Sequence, residues 1–134
     1  MTTTVSEPTT QYSDHLLRLA LRTDAICSGL GGVLLAASAG WLTSRSGLPL
    51  AVEYTLAAIL VGYAALVYWL STKPDLRRIG VAVAVANMGF TVAALLAIVD
   101  RPWPLTSVGV GLMLLSAVYT FVIGCVQYLG VRKL

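Results

Sequence analysis

Charge is scarce in this sequence. Nine Lys or Arg and six Asp or Glu leave only 11% of the 134 residues charged, while 57% are hydrophobic. A soluble domain carries roughly 25% charged residues, because a small globule has a large wetted surface to cover. Too few polar residues are present to build such a surface, which excludes a soluble all-helical domain. Histidine is nearly absent as well. His15 stands alone in a polar N-terminal segment, with no Cys or carboxylate patterned beside it to make a metal site. The two cysteines, Cys27 and Cys125, fall near the same ends of their apolar runs. A reducing compartment there disfavours a disulfide, so they read as small apolar fillers. No glycine pattern sits between a strand and a helix to cradle a nucleotide, and no Ser-His-Asp or Cys-His set occurs. An enzyme, a cofactor and a metal ion are therefore not expected. A β-barrel is excluded too. Barrel strands alternate polar and apolar residues, and "GVAVAVANMGFTVAALLAIV" (80–99) has no polar face of that kind.

What the chain does have is four long stretches without a charge: Ala25 to Ser44, Tyr54 to Thr72, Ile79 to Val99 and Pro102 to Val131. Each is near or above the ~20 residues a helix needs to cross a ~30 Å hydrocarbon core. In lipid such segments must be helices, since only a helix satisfies its own backbone hydrogen bonds. The expected fold is all-α, a bundle of four transmembrane helices with spans at about 24–43, 52–72, 79–99 and 105–129. Residues 14–134 then form one membrane domain, and the polar, Thr-rich residues 1–13 a disordered cytoplasmic tail. From Asp14, "DHLLRLALR" reads either as an interfacial amphipathic turn or as the wet start of a long first helix.

The basic residues give the orientation. Arg18, Arg22, Lys73, Arg77, Arg78, Arg132 and Lys133 belong to the N-terminal segment, the second loop and the tail; only Arg45 and Arg101 lie in the other two loops. Loops rich in Lys and Arg stay cytoplasmic, which places both termini inside a cell (inner) membrane. The net charge of +3 thus reflects topology, and no basic domain exists to bind nucleic acid. Trp41 and Trp103 fall at expected outer ends, and Trp69 and Tyr128 at inner ends, as interfacial aromatics should. The outer charges Arg45, Glu53, Asp100 and Arg101 read as surface ion pairs without a function.

The stretch "LRTDAICSGLGGVLLAASAGWLT" (21–43) has the parts of a cleavable secretory signal: basic residues, an apolar run and Ala37-Ser38-Ala39. Its basic residues follow a polar tail, however, and Asp24 borders the apolar run. Ser28, Gly32, Ala36 and Gly40 recur every fourth residue, on one helical face. Small residues so spaced let helix backbones approach closely in lipid, where packing replaces the hydrophobic drive. The expected reading is a retained span with a packing face. Gly89, Ala93 and Ala97 form a similar row in the third span, and Ser116, Thr120 and Gly124 one in the fourth.

Polar side chains in apolar surroundings are the remaining candidates. Asn87 lies roughly 12 Å into the third span at 1.5 Å per residue, Gln127 near the inner end of the fourth, and Asp24 at the inner rim of the first. Facing lipid would be costly, so they should point inward and find one another, Thr91 or Arg22. One reading is an interhelical hydrogen-bond clamp; the other is a polar vestibule that binds a small ligand. The clamp is preferred, because no ionisable group is expected near mid-membrane.

Four helices in so short a chain bring to mind the small multidrug resistance transporters, but those resemble a shorter chain with a membrane-embedded glutamate in the first helix, and no carboxylate is expected inside the first span here. A closer resemblance is to the small four-helix integral membrane proteins common in actinobacteria, carried by "LRTDAICSGLGGVLLAA" (21–37), "GYAALVYWLSTKP" (62–74), Asn87 and "QYLGVRK" (127–133). It implies an inner-membrane four-helix protein and carries over no catalytic residue. The expected role is non-enzymatic: an accessory or scaffolding membrane subunit, whose partners are the lipid bilayer and another membrane protein or itself. The alternative is a small transporter or ligand-binding membrane protein with a polar vestibule at Asp24, Asn87 and Gln127.

Overall fold

The computed structural model describes the backbone of residues 8–134 and the side chains of residues 14–134. Four helices follow one another: α1 (Pro8–Ser46), α2 (Leu50–Leu70), α3 (Leu76–Asp100) and α4 (Ser107–Arg132). All four are long and apolar enough to cross a membrane. They form two hairpins, α1 on α2 and α3 on α4, joined chiefly where α1 lies along α4. Helix α1 is therefore the central element. α2 packs on α1 and scarcely on the other two helices, so most of its surface stays uncovered. The start of the described chain, the α2–α3 turn and the C-terminus share one end of the bundle, here called proximal. The α1–α2 and α3–α4 turns share the distal end.

Helix α1 begins far earlier than its charge-free run. The polar stretch expected to be a tail contributes helical turns from Pro8 onward; residues 1–7 lie outside the described ones. Of the two readings of "DHLLRLALR", the long first helix is the one found. Its extra turns are held by the α2–α3 turn. Arg18 Nη1 donates to the carbonyls of Ser71 (2.7 Å) and Lys73 (3.1 Å), and Arg22 Nε to Ser71 Oγ (3.4 Å). Carbonyls at a helix C-terminus lack intrahelical donors, and an arginine supplies them. Between these arginines Leu17 and Leu21 are fully buried against Val67, Leu76, Val83 and Val131. This apolar plug draws on all four helices. From Arg22 to Trp41 helix α1 rises about 28 Å, close to the thickness of a hydrocarbon core. Cations stack on indoles near both ends, Lys73 over Trp69 (4.1 Å) and Arg45 over Trp41 (4.5 Å).

Gly47 ends α1 with φ +81, the left-handed turn that glycine makes at least cost. A Cβ there would run into the Pro104 carbonyl, and a Cβ on Gly109 into that of Ser46. The two distal turns meet through these glycines. Thr106 N donates to Ser46 O (3.0 Å), and the Thr106 hydroxyl donates to Arg45 O while accepting from Gly109 N to cap α4. Glu53 is not a surface charge. It is fully buried in the first turn of α2 and accepts from Thr43 Oγ1 (2.7 Å) and Ser46 Oγ (3.1 Å). Among the described residues neither it nor Arg45, Asp100 or Arg101 makes an ion pair.

The packing faces differ in part from the expected rows. On α1 the buried positions run Leu17, Leu21, Asp24, Ala25, Ser28, Gly32, Ala39 and Ser46. Gly32 sits where α1 and α2 touch, its missing Cβ leaving room 2.9–3.0 Å from Val61 Cγ2, the Ala57 carbonyl and Leu60 Cβ. Ala36 is only half-buried, and Gly40 is exposed with nothing near it. The reason is helical geometry: a strict four-residue step overshoots one turn by about 40°, so by Gly40 the row has rotated roughly 120° from Ser28. On α3, Gly89 and Ala93 are likewise exposed and only Ala97 is buried. The contact face there is Gly80, Val83, Ala84, Asn87, Thr91, Ala94 and Ala97. On α4, Thr120 and Gly124 do face the bundle.

Candidate functional site

One carboxylate organises the interior. Asp24 is 0% exposed, within α1, just under one turn past the proximal plug residue Leu21. Five donors converge on it. Ser28 Oγ (3.2 Å) and Tyr119 Oη (3.0 Å) donate to Oδ1, and Tyr63 Oη (2.5 Å), Asn87 Nδ2 (3.2 Å) and Gln127 Nε2 (3.0 Å) donate to Oδ2. Every helix contributes: Ser28 from α1, Tyr63 from α2, Asn87 from α3, and Tyr119 and Gln127 from α4. Asn87 Nδ2 also lies within reach of Gln127 Oε1 (2.9 Å), Tyr63 Oη (3.0 Å) and the carbonyl of Val83 (3.1 Å). Tyr63 ties α2 to the far hairpin by hydrogen bonding, accepting from Asn87 of α3, beside the apolar contact that Val67 of α2 makes in the plug.

The electrostatics are unusual for a buried acid. Among the described residues no cation lies within ion-pair distance of Asp24. Arg22, the nearest in sequence, is spent on Ser71. The side chain is held by neutral dipoles, and an ionised carboxylate, which only accepts, suits a shell of five donors. Nothing buried is left without a partner: no enclosed side-chain nitrogen or oxygen among the described residues lacks a hydrogen bond. An unpaired polar group in such surroundings would cost a few kcal/mol, so the complete set is what makes the cluster tolerable.

Of the sequence candidates, Asp24, Asn87 and Gln127 come together, and Ser28 joins them by hydrogen bonding, in addition to its place on the packing face. Thr91 stands one turn further along α3. It donates to the Asn87 carbonyl (3.0 Å) and shares a 2.6 Å hydroxyl contact with Thr120 of α4. Arg22 stays outside the cluster. Asp24 is not wet: it is 0% exposed, enclosed by the bundle. The carboxylate at the start of the first apolar run is thus enclosed by the chain's own four helices.

Tyr63 and Tyr119 escaped the sequence reading. A tyrosine reads as an interfacial aromatic, yet both lie well inside their apolar runs, about 10 Å from the end of α2 and about 18 Å from either end of α4. A phenol at that depth needs a polar partner, and that signal could have found them. Both sides of the cluster are closed. The Leu17–Leu21 plug covers it proximally, and buried Ala117, Thr91, Thr120 and Gly32 lie beyond it distally. Among the described residues no group of three His, Cys, Asp or Glu side chains can hold a metal ion. Cys27 and Cys125 are both free, one exposed and one half-buried. No family model matches the chain, and neither the characterised proteins nor the solved structures contain a match.

Proposed function

We propose that this chain is a non-enzymatic accessory or scaffolding subunit of a cell inner membrane, crossing it four times with both termini cytoplasmic. The reading agrees with the resemblance to the small four-helix membrane proteins of actinobacteria. One observation carries it: the interior chemistry is closed upon itself, while the outward faces are apolar and largely uncovered. Asp24, Asn87 and Gln127 are buried, and with the half-buried Tyr63 and Tyr119 they satisfy one another's hydrogen bonds. Outside, α2 keeps all but one face free, with Ile59, Leu66 and Tyr68 exposed. Such a molecule offers packing surface to lipid and to other membrane helices. Mass measurement of the intact particle in mild detergent tests the role. Self-association or a stoichiometric membrane partner is expected; a lone monomer under all conditions would overturn it.

A second reading makes the same cluster the polar vestibule of a small transporter or ligand-binding protein. It draws on the missing counter-ion at Asp24, since an entering cation would gain an opposite charge there. It requires the plug at Leu17 and Leu21 to open. Cation-dependent stabilisation of the parent protein that Asp24→Asn abolishes would favour it over the scaffold.

A further inference from the structure

An apolar groove runs down the outside of the α3–α4 hairpin. Val81, Ala84, Val85 and Met88 form one wall, Cys125 and Tyr128 the other, and Gly124 its floor; its volume is about 390 Å³. The floor is low because Gly124 has no side chain where Met88 and Asn87 approach within 3.0–3.3 Å of a would-be Cβ. On α3 the lining begins about 8 Å from the helix start and ends about 18 Å from it. That is one leaflet of a bilayer whose core is ~30 Å thick.

The proximal mouth of the groove is basic. On α3, Arg78, Val81 and Val85 are spaced i, i+3, i+7, and Arg77, Val81, Ala84 and Met88 continue the same side. On α4, Cys125, Tyr128 and Arg132 repeat that spacing. Arg77, Arg78 and Arg132 are all exposed, one turn beyond the apolar lining. Among the described residues the one acid paired with them, Asp75, stands 3.7 Å from Arg78 with both side chains largely in solvent, a pair too weak to occupy it.

From this juxtaposition we propose that the α3–α4 groove is a binding site for an anionic phospholipid of the proximal leaflet, one acyl chain lying between Val81 and Met88 and the headgroup phosphate on Arg77, Arg78 and Arg132. The charge complementarity selects the occupant. A partner helix would fill the apolar part and leave three cations uncompensated, and a free phosphate would use the rim and leave the groove empty. A phospholipid uses both, at the depths where its two parts sit. The inference rests on the chain spanning a bilayer, and not on any subunit role or on Asp24.

The test is native mass spectrometry of the full chain, extracted from membranes and given phosphatidylglycerol or phosphatidylcholine. The parent should retain phosphatidylglycerol over phosphatidylcholine by about tenfold, as a few arginines at a headgroup imply. Replacing Arg77, Arg78 and Arg132 together by Gln should reduce that preference to about twofold or less. Val85→Trp, at a position 65% exposed, fills the groove without entering the bundle and should remove one bound lipid. Circular dichroism of each variant confirms that it is folded. A parent without preference, a preference that survives the Gln variant, or a lipid count unchanged by Val85→Trp would each overturn the proposal. Failure of the chain to fractionate with membranes would instead overturn the bilayer reading beneath it.

Discussion

Replacing Asp24 by Leu removes the acceptor on which five donors converge, and the cost can be worked from the contacts. Four of the five bonds cross between helices. Interhelical hydrogen bonds within membranes average about 0.6 kcal/mol and reach about 1.7 kcal/mol, so loss of the set should cost roughly 2–3 kcal/mol. The damage is uneven. Asn87 keeps Gln127 Oε1 and the Val83 carbonyl, and Tyr63 keeps its contact with Asn87. The hydroxyls of Ser28, Tyr63 and Tyr119 and the Gln127 Nε2 lose the one hydrogen-bond acceptor each has. Asp24→Asn is the informative companion. Its Oδ1 can accept from Tyr63, Asn87 and Gln127, while its Nδ2 donates to the hydroxyls of Ser28 and Tyr119, which rotate to accept. A cost near 1 kcal/mol or less is expected for the amide. Unfolding of the purified protein by rising dodecyl sulfate in mixed micelles, followed by circular dichroism, measures both. Asp24→Leu falling within about 0.5 kcal/mol of the parent would refute the clamp, since ordinary surface changes do no more. An Asp24→Asn variant as unstable as the Leu variant would show that the negative charge, rather than the hydrogen-bond geometry, is what the fold needs.

Gly32→Val should destabilise by about 1–3 kcal/mol in the same unfolding assay, because the new side chain meets the Ala57 carbonyl and Leu60 across the α1–α2 contact. Gly40→Ala, with open space around it, should be neutral or stabilising by up to about 1 kcal/mol. Gly109→Ala places a methyl on the Ser46 carbonyl and should break the Thr106 to Ser46 bond. Cross-linking yield between cysteines introduced at Arg45 and Ser107 should then drop, and an unchanged yield would count against the contact. Asn87→Leu and Tyr63→Phe should be strongly non-additive, because both act on the Asp24 cluster; a double-mutant cycle summing to within about 0.3–0.5 kcal/mol would deny that coupling.

The spans were legible because charge-free runs in lipid leave no choice but helix, and their boundaries from α2 onward fall within a few residues of the expected ones. The start of α1 was not, because the hydropathy signal stops where a helix leaves the hydrocarbon. The real cue was Leu17 and Leu21 interleaved with Arg18 and Arg22 at helical spacing, a face that packs on the α2–α3 turn while its cations cap α2. Asp24, Asn87 and Gln127 stood out as polar groups in apolar surroundings, and three-dimensional proximity followed from the cost of any alternative. What stayed hidden for Asp24 was its burial: at the edge of a charge-free run a carboxylate reads as tolerated in water, whereas in the bundle it is fully enclosed. Tyr63, Tyr119 and Glu53 were hidden for a common reason. Their residue types are at home at an interface, so type alone did not announce burial. The small-residue rows failed at Gly40 and Gly89, where a fixed spacing of four drifts off a face that advances by 3.6.

The most direct measurement is the sidedness of two loops. In a background lacking Cys27 and Cys125, Thr72→Cys and Ser44→Cys would be treated with a membrane-impermeant maleimide in intact cells stripped of their wall. Label is expected on Ser44→Cys at once and on Thr72→Cys only after the membrane is opened. Label on Thr72→Cys from outside, or equal label on both in a detergent-free soluble fraction, would contradict four helices crossing lipid with the proximal end within the cell.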